Sequence, residues 1–138
     1  MIYVKIYSRL PEEACYIREA VFVEEQGFTD EFDKLDLSAT HFVLFVETEP
    51  AAVCRVFWDG EQYILGRVAV MPQFRRMGLG GAIISSAEAY VAQQGGSSLH
   101  LHAQCRITDF YEAIGYTPYG EIGDDQGCPH IWMMKNIK

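Results

Sequence analysis

The residues best suited to chemistry lie between Leu65 and Ile84, in the run LGRVAVMPQFRRMGLGGAII. An apolar strand pattern reaches a turn at Pro72. Arg75 and Arg76 follow, then Gly78, Gly80 and Gly81, then apolar residues at helical spacing. Backbone N–H groups at a helix start bind anions, and the helix dipole adds to their pull. Glycine lets that backbone approach a phosphate closely, and arginine supplies charge-assisted donors that fit phosphate geometry. The chemistry implied is the holding of a phosphate. The run is not a P-loop, because no Lys-Ser/Thr pair follows the glycines. It is not a dinucleotide fingerprint either, because Ile83 stands where the last glycine or alanine of Gly-x-Gly-x-x-Gly belongs. What remains is Arg-x-x-Gly-x-Gly, from Arg75 to Gly80.

Other reactive side chains suggest less. Cys15, Cys54, Cys105 and Cys128 form no Cys-x-x-Cys pair, so reduced, partly buried thiols are expected. His100 and His102 would share one face of a strand, with Cys105 nearby, but no fourth ligand stands at a suitable spacing. No metal is expected. The net charge of −8 disfavours nucleic acid as a partner. An acidic run, Glu24, Glu25, Asp30, Glu31, Asp33 and Asp36, suits a cationic acceptor or a solvated loop.

These groups must be positioned by one domain over residues 1–138. The chain has 138 residues and 49% hydrophobic content. That is enough to bury a core without staples. No run approaches ~20 apolar residues, so no membrane span is expected. The first residues lack the apolar stretch of a signal peptide, which points to the cytoplasm. Alternation predicts a strand over 2–7. A helix follows from Pro11, burying Ala14, Ile17 and Val21. Residues 24–38 read as polar and irregular, with room for a short helix. Strands are predicted over 41–47, 51–58 and 62–70, with Asp59-Gly60 as a hairpin turn. A helix over 79–94 ends at Gly95-Gly96. A strand covers 97–103, Thr108 caps a short helix over 109–114, and strands over 116–120 and 130–135 complete the chain. The order is that of a mixed α/β protein with a central βαβ unit.

The Arg75–Gly80 pattern between this strand and this helix resembles the acetyl-CoA pyrophosphate loop of the GNAT acyltransferase superfamily, and the element order matches that fold along the whole chain. Arg18, Val21-Phe22-Val23, Glu25-Gln26, Asp36 through His41, Gly66-Arg67-Val68, His102-Ala103-Gln104, Phe110-Tyr111, Gly115-Tyr116 and Gly127-Cys128-Pro129-His130 narrow the resemblance to the ElaA-like, or YjcF-like, branch. The resemblance implies a mostly antiparallel sheet flanked by helices, with splayed central strands. It implies transfer of an acetyl group from acetyl-CoA to a small-molecule or peptide amine by direct attack, in a monomer or homodimer. Backbone of Val68, Ala69 and Val70 would hold the pantetheine arm, with the strand breaking away at Met71-Pro72. Arg75, Arg76, Met77, Gly78, Leu79, Gly80 and Gly81 would hold the pyrophosphate. Tyr111 would protonate the departing thiolate, since a tyrosine stays protonated at neutral pH.

A lysine-like amine is only about one part in 10³ neutral at pH 7, a cost of ~4–5 kcal/mol, so a base is useful. Many relatives place a glutamate on the fourth strand, where this chain has Ile64. Glu25, His41 and His130 are the remaining candidates, directly or through water, and Arg18 and Glu25 would border the acceptor cleft. The absent glutamate leaves a second reading open: a non-catalytic acyl-CoA sensor of the same fold that regulates a partner.

Overall fold

The computed structural model describes residues 1–29 and 31–137. Its strands are β1 (Ile2–Tyr7), β2 (Thr40–Val46), β3 (Glu49–Trp58), β4 (Tyr63–Val70), β5 (Ser98–Gln104), β6 (Thr117–Asp125) and β7 (Cys128–Asn136). The α-helices are α1 (Glu12–Arg18), α2 (Leu79–Gln93) and α3 (Thr108–Ala113). The strands form one sheet in the order β1-β2-β3-β4-β5-β7-β6. Every pairing is antiparallel except β4 with β5, the two strands joined through α2. This is the mostly antiparallel sheet flanked by helices, with splayed central strands, that the resemblance implies.

Strand alternation divides the core between the two faces of the sheet. Phe42, Leu44, Cys54, Val56, Leu65, Leu101 and Ala103 point to one face and pack with Leu79, Ile83, Ile84, Ala87 and Val91 of α2 and Tyr111 of α3. Val43, Phe45, Val53 and Ala69 point to the other, against Ala14, Ile17, Val21 and Phe22. Each fully buried aliphatic side chain of this kind contributes about 1.5–3 kcal/mol relative to exposure.

One irregularity in β4 sets up the site. Arg55 pairs with Gly66 and Val53 with Ala69, so Arg67 and Val68 together oppose Cys54 alone. Arg67 carries the resulting bulge at φ 52°. That left-handed conformation is uncommon outside glycine. The extra residue resets the alternation: Leu65, Val68 and Val70 all face α2, and Ala69 faces α1.

Some elements differ from the sequence expectation. The first helix continues past Arg18 as a π-helical segment, Glu19–Glu25, rather than giving way to loop at Glu24. Its wider coil is closed by Gln26 N–H donating to the Val21 carbonyl. A short 3₁₀ turn, Lys34–Leu37, is capped by Asp33 and Asp36 reciprocally. Thr108 is the first residue of α3 rather than its cap, and its hydroxyl donates to the Cys105 carbonyl. The last two strands run well beyond the predicted spans. They are joined at Gln126-Gly127 with φ of 51° and 80°, the positive values a tight hairpin requires. On the described residues, no helix is long and apolar enough to cross a membrane.

Candidate active site

β4 and β5 pair only from Tyr63–Leu99 to Leu65–Leu101. Beyond Leu65 the β5-facing edge of β4 has no strand partner, and a cavity of about 440 Å³ opens there. Val68, Ala103, Ile107 and Tyr111 line it from the α2 side of the sheet, and Phe22, Phe28, Phe57, His102, His130 and Trp132 from the α1 side. Val68, Ala69 and Val70 lie on this stretch of β4, where the edge toward β5 has no strand partner.

The glycine-rich loop opens beside the same strand. Gly78 sits at φ 75° as the N-cap of α2, a conformation glycine adopts without steric cost. No side chain caps the helix, and the first N–H groups of a helix have no partner within it. Those of Leu79, Gly80 and Gly81 stand at this uncapped start of α2. Gly80 is needed for space: a Cβ there would stand 3.0 Å from the Phe110 ring. Arg76 and Met77 are exposed beside it.

Arg75 departs from its expected role. Its guanidinium is bidentate to Glu25 at 2.8 and 2.7 Å, and Nε donates to the Val70 carbonyl at 3.0 Å. Arg75 therefore braces the loop against β4 and the π-helical segment. Glu25, a candidate base, is the other half of this ion pair, whose hydrogen bonds hold its carboxyl below the usual range. Both side chains are well exposed, so the pair is worth under about 1 kcal/mol.

Tyr111 is 6% exposed and packs edge-on to Phe110 and Tyr116. Burial raises its pKa further above 10, with the neighbouring Cys54 adding to the effect. The phenol is therefore neutral, and able to donate a proton, across the physiological range.

Two other candidates are removed from the cleft. Arg18 is fully buried, bonded to Glu31 at 2.9 Å and to Asp36 at 2.8 and 3.1 Å. Arg55 holds Asp33 and Asp36, and Arg67 holds Glu31 and Asp33. Three arginines thus face three carboxylates in one closed network. Arg18 cannot reach a substrate from there. His41, also fully buried, bonds through Nε2 to the Asp36 carbonyl, and burial pushes its pKa down. It supports the network and does not meet the cavity. The same pairing neutralises Glu31, Asp33 and Asp36 of the acidic run, because their charges are spent on arginines the sequence places far away. Asp30 lies outside the described residues.

This network has a pH signature. Burial opposes ionisation of Asp36, but hydrogen bonds from Arg18 and the Asp33 N–H, with the charge of Arg18 and a bond from Arg55, outweigh it and hold the carboxyl at about 2. A carboxyl depressed on folding stabilises the native state above its unfolded pKa, and that contribution is lost as pH falls toward the folded value. Stability should therefore fall by roughly 2 kcal/mol between about pH 4 and pH 2 on account of this one group. Urea unfolding of the native chain and of Asp36→Asn at both ends of that window tests this. The variant should lack this part of the acid loss.

His130 is the candidate that does line the cavity. It is 5% exposed, and its Nδ1 lies 2.8 Å from the Cys128 carbonyl. A carbonyl only accepts, so Nδ1 carries the proton and Nε2 the lone pair. His102 packs between His130 and Trp132, at ring-centre distances of 4.9 and 4.8 Å. Gln126, at the β6–β7 turn, spans the cavity mouth. Its amide accepts from Thr29 N–H and donates to the Thr29 carbonyl. Gln104 similarly donates to Gln26 at 2.9 Å. Sequence reading places His102 in a metal context and in the family resemblance, without a catalytic role, and does not single out Trp132 or Gln126, because their meeting depends on cross-strand register rather than spacing. Among the described residues no three His, Cys, Asp or Glu side chains are grouped to hold a metal ion.

Residues 10–137 match the acetyltransferase (GNAT) domain family. YjcF of Bacillus subtilis, an uncharacterized N-acetyltransferase, is 34% identical over 128 residues, covering 91% of each chain. The crystal structure of Escherichia coli ElaA superimposes with a TM-score of 0.86 at 27% identity, over 99% of this chain and 100% of that one. An acyl-CoA N-acyltransferase of Pseudomonas aeruginosa shares the fold at a TM-score of 0.86 and 22% identity, over 98% of this chain and 99% of its own. With the splayed β4–β5 pair, the uncapped glycine-rich start of α2 and these similarities together, the chain is an acyltransferase that belongs to the GNAT acetyltransferase family, in the branch of ElaA and YjcF.

Proposed function

We propose that the protein transfers the acetyl group of acetyl-CoA to a primary amine, by direct attack of the amine nitrogen in a ternary complex. The observation that carries this reading is the gap beyond Leu65. It is reached from the α2 side past an anion-binding helix start and from the other side through an aromatic, histidine-bearing pocket. Two substrates entering from opposite faces meet there without either displacing the other. Holding both in line accounts for much of the barrier reduction such a reaction needs.

Val68, Ala69 and Val70 offer the edge of β4 that lacks a strand partner for the pantetheine arm, with Arg75 on the Val70 carbonyl. Arg76, Met77, Gly78, Leu79, Gly80 and Gly81 surround the pyrophosphate position, with Arg75 bracing the loop. Acetyl-CoA supplies a thioester carbonyl carbon already activated toward attack. Tyr111, kept neutral by burial, donates its proton to the departing thiolate sulfur. The acceptor is a small-molecule or peptide amine. Because Arg18, Arg55 and Arg67 balance the network carboxylates, the charge of that acceptor is not dictated by the acidic run.

Thiol release from acetyl-CoA across amines, polyamines, amino sugars and peptides tests the reaction. At least one acceptor should exceed the no-acceptor rate. Tight binding of acetyl-CoA with no acceptor active would favour the sensor reading. The cradle is tested by Gly81→Glu. A Cβ at Gly81 meets only the Ile114 methyl at 4.0 Å, so the side chain fits. A carboxylate in the first turn favours the helix by about 0.3–1 kcal/mol and repels a pyrophosphate. The variant should keep its melting temperature and lose the rise that acetyl-CoA gives a native state that binds it. A retained rise would remove the cradle assignment.

A further inference from the structure

We propose that His102 and His130 act together as the group that takes the acceptor amine's proton, a deepening that rests on the acetyl-transfer reading above. The case begins with what else faces the cavity. On the β4 wall, Ile64, Leu65, Gly66 and Val68 carry no proton-accepting side chain. Arg55 and Arg67 stay protonated. Glu31 and Asp33 are held by those same arginines. Tyr111 is a neutral phenol. Asp125 is exposed at the end of β6, beside the hairpin turn. The two imidazoles are the nitrogen bases left, with the Asp125 carboxylate near His102 and acting on it.

Their placement follows from register. Leu65 pairs with Leu101, so His102 stands one step beyond, where pairing with β4 has ceased. Alternation puts it on the face away from Leu101 and Ala103, the face toward α1 from which the acceptor would enter. Across β5, His102 pairs with Trp132 and Gln104 with His130, so all four side chains share that face. Trp132 lies nearly parallel to His102, at 24°, and fixes its ring plane. The Cys128 carbonyl fixes the tautomer of His130 and leaves Nε2 as the acceptor.

The two imidazole ring centres are 4.9 Å apart. At that separation they repel if both are charged, so the pair takes up one proton. Burial and the neighbouring His130 both push the His102 pKa down, with Asp125 opposing them. That direction favours His102 with a free lone pair, beside the Nε2 lone pair that the Cys128 carbonyl leaves on His130. The proton count closes. An ammonium acceptor gives one proton to the pair, freeing the lone pair that forms the C–N bond as the C–S bond breaks. A second proton leaves the nitrogen as the amide forms and restores Tyr111, which has protonated the thiolate. The proton on the pair returns to solvent.

The experiment measures kcat/KM against pH for the native enzyme, His102→Gln, and His102→Gln with His130→Gln, using the best acceptor of the panel. The melting-temperature rise with acetyl-CoA is followed alongside. The native rate should fall on the acid side, where the imidazoles gain a proton and no longer accept one. The double variant should lose that acid limb and about 10²–10⁴-fold in rate, the range for one acid–base element, while keeping the acetyl-CoA response. His102 is exposed, so the single variant folds readily, and it should already shift the acid limb. A native-like profile and rate in His102→Gln, with the double variant folded or not, overturns the assignment of the pair alone. A native enzyme that acetylates nothing overturns the acetyl-transfer reading instead, and the proposal with it.

Discussion

Replacing Tyr111 with phenylalanine is expected to lower turnover by roughly 10–10³-fold, the range for removing one proton donor from a transition state. The substitution removes one oxygen from a ring that keeps its edge contacts with Phe110 and Tyr116. Packing and acetyl-CoA affinity should therefore change little. The melting-temperature rise with acetyl-CoA checks this independently of catalysis. A donor that acts only as the C–S bond breaks lowers kcat and kcat/KM together. A loss confined to KM would assign Tyr111 to binding, and native turnover would assign it to packing. Burial also holds the Tyr111 proton well above the neutral range. Any alkaline fall in rate near neutrality therefore belongs to another group, and should be the same in Tyr111→Phe.

Arg18→Met should have the largest effect on stability, a loss of about 3–5 kcal/mol, because it strips one partner from carboxylates that stay buried. Glu31 and Asp36 are 6% exposed. Each would keep one arginine, Arg67 and Arg55 respectively, and lose the hydrogen bonds Arg18 makes. A domain of this size has about 5–15 kcal/mol in hand, so such a loss should be plain in urea unfolding. Arg18→Lys keeps the charge but not the fork that meets two carboxylates at once, and should fall between. Arg9, exposed near the start of α1, provides the comparison: Arg9→Met should stay within about 0.5 kcal/mol of the native chain. An Arg18→Met loss under about 1 kcal/mol would mean that water solvates the network once opened.

The two effects separate the parts of this molecule. On these expectations Tyr111 would matter for reaction and little for stability. Arg18 matters for stability and touches no substrate. Arg67 joins them, because the residue that carries the β4 bulge is also tied by its side chain to Glu31 and Asp33. The network beneath the cavity thereby anchors the strand distortion that opens it. A non-glycine residue in the left-handed region persists where its surroundings hold it there, and the Arg67–Glu31 contact at 2.9 Å is such a hold.

The sequence alone determined the local elements that carry their own signals. Alternation marked the inner strands, and Leu79, Ile83 and Ala87 at helical spacing marked α2. Gly78 and Gly80, between a strand and that helix, marked the glycine-rich helix start, because turn, glycine and helix start are contiguous in the chain. The second half of β6 escaped because Gly120, Gly123, Asp124 and Asp125 are turn-forming residues in a fully exposed strand, with no buried face to impose alternation. The π-helical extension escaped because Glu24 and Glu25 are polar, and the turn is held by packing of Val21 and Phe22 rather than by its end residues. Charge pairing was beyond local reading for a similar reason. The sequence shows that Arg18, Glu31, Asp33, Asp36, Arg55 and Arg67 exist, but only folding brings a helix, a loop and two strands together and turns part of an apparent acidic run into a charge-balanced network. The histidine pair is the same case. Residues 102 and 130 meet because β7 inserts between β5 and β6 in a fixed register, and register is a property of the whole sheet, set by burial of one face against the other.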